Sequence, residues 1–86
     1  MPEISRFYGI VIYMYFGDHP TPHLHARYGE FQAKLAIRTG AVLRGKLPPR
    51  ALRLVREWIE QHQIELLGNW ELCSEMQEPS SITPLD

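Results

Sequence analysis

The segment Asp18-His19-Pro20-Thr21-Pro22-His23-Leu24-His25 holds three of the four histidines of this chain, and a carboxylate, within eight residues. Imidazole is the commonest metal ligand and the side chain that titrates near neutral pH, so the segment is where chemistry is expected. Two chemistries fit the residue types. In the first, His23 and His25 project from one face of a strand and Asp18 or His19 returns from the preceding loop, holding a divalent metal such as zinc with a position open for water. The spacing His-x-x-x-His-x-His, with no further Cys, His or acid beside it, is a weak zinc signature. The metal set Asp18, His19, His23 and His25 therefore stands as the alternative to chemistry without a cofactor. In the second, His23 and His25 act as base and acid near Lys34 and Arg27. One imidazole removes a ribose 2′-hydroxyl proton and the other protonates the leaving oxygen, while the cations stabilise the phosphorane. Neighbouring cations would also favour the neutral, base-competent imidazole.

The elements around these residues decide which reading is geometrically available. Phe7 to Phe16 is aromatic and β-branched, and reads as one central strand, apolar on both faces. Leu24 to Tyr28 and Phe31 to Arg38 read as two strands joined by a type II′ turn at Gly29-Glu30. That turn sets Tyr28 opposite Phe31, Ala26 opposite Ala33 and Leu24 opposite Leu35 on the buried face. Arg27 then opposes Gln32, His25 opposes Lys34 and His23 opposes Ala36 on the other face. A further strand, Val42 to Leu47, is expected after Thr39-Gly40. A three-residue loop would align Leu35 with Gly45 and set Lys34 against Lys46, a pair of like charges that an anion or solvent must screen. The outer face would then gather His23, His25, Arg27, Lys34, Arg38, Arg44 and Lys46, with His23, His25 and Lys34 as the catalytic candidates and Arg27, Arg38 and Arg44 as substrate-binding ones.

Pro48-Pro49 suits the first turn of a helix. From there Leu52, Val55, Ile59, His62, Leu66, Trp70 and Cys73 recur every three or four residues, an apolar stripe reaching about Met76. Two helical segments with a joint near Gln61 to Gln63 fit this pattern. Ile64 and Leu67 fall off the stripe and allow a homodimer without requiring one. His62 reads as a core or interface histidine satisfied by a carbonyl or water, and Trp58 and Trp70 read as packing residues. Tyr8, Tyr13 and Tyr15 could place a phenol beside the histidines. Residues 79–86 read as a tail, ordered only if Ile82 and Leu85 find a groove.

With 86 residues, 44% hydrophobic and 22% charged, the chain has the size and composition of one soluble globular domain. No apolar run is long enough for a bilayer, the N-terminus lacks the pattern of a secretion signal, and the single Cys73 cannot form an internal disulfide. A cytoplasmic protein with no membrane partner is expected. The net charge of −1 hides an asymmetry: residues 1–50 carry +4 and residues 51–86 carry −5. A basic first half suggests an anionic partner. No internal repeat, Gly-rich phosphate loop, paired-cysteine zinc pattern or nucleotide-binding fingerprint is present.

Ile4-Ser5-Arg6-Phe7-Tyr8-Gly9-Ile10, Met14-Tyr15-Phe16 and Asp18-His19-x-x-Pro22-His23-x-His25-Ala26-x-Tyr28-Gly29 resemble a family of small bacterial proteins known as a domain of unknown function. Leu47-Pro48, Ala51-Leu52, Glu57-Trp58 and Asn69-Trp70-Glu71-Leu72 extend the similarity over almost the whole chain. Thr21 stands where a second proline is expected in that pattern, and Gly68 where a polar helix former is more usual. Members commonly occur beside a second small protein, an arrangement that looks like a type II toxin–antitoxin pair with this family as the toxin. The resemblance implies a cognate antitoxin-like partner and adds Tyr28 to the site candidates, but brings no settled catalytic residues.

The expectation is an α+β domain over residues 1–78, an antiparallel sheet of about four strands covered on one face by C-terminal helical segments. Its expected function is that of a toxin acting on RNA through a histidine-bearing basic sheet face. A non-catalytic module that binds nucleic acid or protein is the alternative.

Overall fold

The computed structural model describes residues 2–17 and 21–86; Met1 and Asp18-His19-Pro20 lie outside the described residues. Five strands, β1 (Glu3–Phe7), β2 (Ile10–Tyr13), β3 (His23–Tyr28), β4 (Phe31–Ala36) and β5 (Val42–Gly45), precede two helices, α1 (Pro49–Gln61) and α2 (Gln63–Ser74). Every strand pairs antiparallel with its sequence neighbour, in the order β1-β2-β3-β4-β5. The architecture is α+β.

The single strand expected over Phe7 to Phe16 is instead broken by a hairpin turn, Phe7 ending β1 and Ile10–Tyr13 forming β2. The turn is Tyr8-Gly9, with φ of 50° and 79°, and Phe7 pairs with Ile10 across it. Two consecutive left-handed residues make a type I′ turn, whose twist matches that of the flanking strands. Tyrosine is an unusual residue there, at a cost of roughly 1–2 kcal/mol, so the segment lacks the usual turn signature.

The β3–β4 hairpin has the register that its turn dictates. Tyr28 pairs with Phe31, Ala26 with Ala33, Leu24 with Leu35, and on the alternate positions Arg27 pairs with Gln32, His25 with Lys34 and His23 with Ala36. Gly29 has φ of 58° while Glu30 has no positive φ, as a type II′ turn requires.

The β4–β5 register differs from the expected one. Strand β4 ends at Ala36, and Ile37-Arg38-Thr39-Gly40 form a four-residue loop closed by Ala36 N–H to the Ala41 carbonyl (2.9 Å) and Gly40 N–H to the Ala36 carbonyl (2.8 Å). The loop is longer because Ile37 is fully buried and its carbonyl accepts from the Gln63 side chain. Burying an isoleucine is worth about 2 kcal/mol, enough to dictate a loop conformation. A bulge at Leu43 then shifts the pairing, so Lys34 opposes Arg44 and not Lys46, while Ala33 opposes Gly45.

Ile10, Ile12, Leu24, Ala26, Ala33 and Leu35 alternate along their strands and join one core cluster with Val55, Trp58 and Ile59 of α1 and Leu66 and Cys73 of α2. The apolar stripe is interrupted at His62, whose N–H bonds back three residues to Ile59 and whose carbonyl starts α2 through Leu66. The C-terminal segment completes the core. Ile82 and Leu85 are buried, Trp58 Nε1–H donates to the Thr83 carbonyl (2.8 Å), and Ile82 N–H donates to Ile4 O (2.8 Å) on the outer side of β1. Asn69 holds Ser80 at both ends, its Nδ2 donating to the carbonyl (2.8 Å) and its Oδ1 accepting from the N–H (2.9 Å).

At Gly45 a Cβ atom would lie 2.2 Å from the Gln32 carbonyl oxygen, and φ is 74°. Gly45→Ala is expected to lower stability in urea denaturation by about 2 kcal/mol or more, from strain and backbone overlap together. Asn69→Ala should cost about 1–3 kcal/mol and raise the exchange rate of the Ser80 and Ile82 amides, since it removes both hydrogen bonds that hold the Ser80 backbone to the buried Asn69.

Candidate functional site

Antiparallel registers add up across the sheet. Glu3 pairs with Tyr13, Tyr13 with His25, His25 with Lys34 and Lys34 with Arg44, so one lateral row on one face runs through all five strands. The row reads carboxylate, phenol, imidazole, ammonium, guanidinium. Alternation places it on the face opposite Ile12, Leu24, Ala26 and Leu35.

His25 sits at the centre of this row, half-buried. Tyr13 stacks on its ring with centroids 5.3 Å apart, and Tyr15 meets it edge-on at 4.6 Å. His23, one strand position away on the same face, touches His25 edge-on at 5.2 Å and Trp70 of α2 at 4.9 Å. His23 is 2% exposed, and its Nδ1 bonds the Thr21 carbonyl at 2.7 Å. A carbonyl can only accept, so Nδ1 carries the proton and the lone pair of the neutral ring lies on Nε2. Of the two imidazoles, His25 is the more open.

A groove of about 370 Å³ runs over this part of the face, lined by Tyr15, His23, His25, Lys34, Arg44 and Gly45, with Gln32 beside them. The three expected catalytic residues, His23, His25 and Lys34, and the expected substrate-binding Arg44 are thus brought together. Lys34 and Arg44 oppose each other directly, and among the described residues no carboxylate pairs with either. Two such cations on adjacent strands repel by up to about 1 kcal/mol, a cost that a bound anion removes.

The other candidates are placed elsewhere. Arg27 lies one row away, opposite Val11 and Gln32, and its charge acts on both Glu3 and Tyr13. Arg38 is in the loop after β4 and borders Ile64, Trp70 and Glu71 instead. Tyr28 faces the opposite side of β3 and lines a separate groove of about 190 Å³ with Tyr8, Pro48 and Arg50. Of the metal alternative, Asp18 and His19 lie outside the described residues; among the described residues no group of three or more His, Cys, Asp or Glu is placed to hold a metal. Arg6 is engaged by Glu3, with Nη2 at 2.8 Å from Oε1, and this pair holds the Glu3 carboxyl below the usual carboxylate range. His62 stands apart, its Nδ1 2.6 Å from Glu65 Oε1 and its ring beside Trp58.

Of the three tyrosines that could have placed a phenol beside the histidines, Tyr13 and Tyr15 do so and Tyr8 does not, whereas Trp70 and Gln32 were not among the sequence candidates. Period-two alternation over Ile12 to Tyr15 puts Tyr13 and Tyr15 on one face. Their meeting with His25 depends on the β2–β3 register, and the long connector between those strands carries no register rule. Trp70 reaches His23 because the connector is tied to α2 through Gly17 N–H and the Cys73 carbonyl (2.9 Å).

The family described as Domain of unknown function (DUF4160) matches residues 9–71, a span that contains every residue of the groove. No curated protein and no solved structure matches the chain. Among the described residues no helix is long and apolar enough to cross a membrane.

Burial, and next the neighbouring Tyr15, push the Tyr13 phenol above its ordinary value, with Arg27 pulling the other way. Spectrophotometric titration should therefore show one tyrosine ionising late. Tyr15→Phe should bring that titration partway back, leaving the larger burial contribution. Because the folded state favours the neutral phenol, its stabilising contribution is complete below about pH 10 and is lost as pH rises through the raised value. Tyr13→Phe should flatten that alkaline loss of stability.

Proposed function

The chain belongs to the DUF4160 family of domains of unknown function, and from that premise we propose that it acts on RNA through the His25 groove, as the toxin of a toxin–antitoxin pair. The observation that carries this reading is the lateral row: an imidazole flanked by two opposed cations that lack a carboxylate partner among the described residues. A phosphodiester satisfies both cations at once, and places a ribose hydroxyl next to the imidazole.

In this reading the two helices cover the core face of the sheet and leave the opposite face to the ligand. His25 takes the 2′-hydroxyl proton, the freed oxygen attacks phosphorus, and the bond to the 5′ oxygen breaks. Water protonates that leaving oxygen, giving a 2′,3′-cyclic phosphate and a 5′-hydroxyl end. Lys34 and Arg44 stabilise the charge that builds on the non-bridging oxygens. His23, buried against Trp70 and bound to Thr21, is a positioning residue for His25 in place of a second proton carrier. No cofactor is required by this chemistry. The toxin role and its antitoxin partner rest on the family resemblance.

The burial of His23 favours a second reading, in which the groove binds RNA without cleaving it. pH separates the two. Cleavage should follow a limb in the histidine range, and His25→Gln should reduce it at least about 10²-fold while shifting stability by no more than about 1 kcal/mol. Undiminished cleavage or undiminished growth inhibition by the His25→Gln protein would overturn the catalytic reading. If binding alone is the function, His25→Gln leaves RNA affinity intact. Lys34→Gln and Arg44→Gln each then reduce the slope of log affinity against log salt by about one phosphate contact.

A further inference from the structure

One face of α2 is turned away from the core. Ile64, Leu67, Gly68 and Glu71 recur at helical spacings of three and four, beside the buried stripe of Leu66, Asn69 and Cys73. Together with Arg38 and Trp70 they line a groove of about 650 Å³. Ile64 is 88% exposed, more than any other large hydrophobic side chain among the described residues. Gly68 has no packing reason within this chain. Glycine weakens a helix interior, yet apart from its own helix no atom among the described residues lies within 4 Å of the place a Cβ would take. A glycine on an exposed helix face lets another backbone come close.

Charge says what comes close. Arg38 and Glu71 border the same groove, both exposed, and among the described residues neither is held in an ion pair. A partner of one sign satisfies one of them and repels the other. A second copy of the chain carries both, and a two-fold axis presents the cation of each copy to the carboxylate of the other. RNA would neutralise Arg38 but meet Glu71 and an apolar centre.

We propose that this face of α2 is the interface of a symmetric dimer, its occupant a second copy of this chain. The two α2 helices cross at Gly68, Ile64 of each copy is buried on Leu67 of the other, and Arg38 of each pairs with Glu71 of the other. Trp70 lines this groove and also touches His23 at 4.9 Å, so the dimer braces the covered side of the histidine pair. The proposal rests on α2 and not on the RNA chemistry, so either can fail alone.

The test is sedimentation equilibrium of the full chain, with thermal unfolding of each variant. The wild-type chain is expected to be a dimer at about 100 μM, dissociating in the micromolar range. Ile64→Lys should weaken association at least about thirtyfold. Gly68→Gln should weaken it too, while raising the thermal midpoint measured at concentrations where the chain is monomeric. Arg38→Glu and Glu71→Arg should each weaken the dimer at least about tenfold, because both pairs become like charges. An equimolar mixture of these two variants should form a heterodimer of near wild-type affinity, since both of its pairs again have opposite signs. A contact within one chain gives no such rescue on mixing. A monomer at about 100 μM, an assembly larger than a dimer, a dimer indifferent to Ile64→Lys, or no rescue on mixing would each overturn the proposal. If Ile64→Lys does not fold, Gly68→Gln and the mixture decide. None of these measurements reads RNA cleavage, so its loss in His25→Gln leaves their outcome unchanged.

Discussion

The two-residue turn at Gly29-Glu30 locks β3 and β4 into one register, and the placement of side chains on both faces follows from it. In a strand, a slip of one residue exchanges the faces. Here it would bring His25 and Lys34 into the core and expose Leu24, Ala26 and Leu35, all now fully buried. Burial of each leucine is worth about 2 kcal/mol, whereas opposing two exposed cations costs up to about 1 kcal/mol. Apolar burial therefore wins, and the fold tolerates Lys34 against Arg44 as its consequence. The electrostatically unfavourable feature of the groove is a by-product of a strongly specified core.

The neighbouring strands extend this register into a lateral row across the sheet. β2 contributes Tyr13, which stacks on His25, and β1 contributes Glu3, whose own cation is Arg6. The row is thus neutralised at the β1 end, whereas at the β5 end no carboxylate among the described residues pairs with Lys34 or Arg44. Trp70 closes one side by covering His23, which removes one of the two imidazoles from easy contact with solvent. Helix α2 acts on the site in this way without contributing a charged group to it.

The sheet edges are treated unequally for a related reason. The C-terminal segment is anchored by Trp58, Asn69 and the buried Ile82 and Leu85, and these anchors draw it along β1. β5 keeps a bulge, a glycine in the left-handed region and a run of cations. Those features discourage strand pairing at that edge.

Local rules made part of this structure legible in the residues alone. A Gly-led two-residue turn dictates pairing within one hairpin, so the partners of His23, His25, Arg27 and Lys34 could be read from the chain. Apolar residues every three or four positions likewise foretold helices from Pro49 onward, with a joint near His62. Where placement depends on contacts between distant segments, local rules gave no answer. The Tyr8-Gly9 turn hides in an aromatic run because tyrosine adopts a glycine-like φ there. The β4–β5 register depends on the burial of Ile37 and its bond to Gln63, far along the chain. Tyr13 meets His25, and Trp70 covers His23, only after the connector has been tied to α2. The sequence by itself determined the alternation that puts imidazoles and cations on one face, because side-chain period and turn type are local properties of the backbone. Tertiary structure alone decided that Lys34 faces Arg44, that His23 is buried and His25 accessible, and that Tyr28 and Arg38 lie outside the groove. Those outcomes are set by loop length and packing between elements, and neither is written in any short stretch of residues.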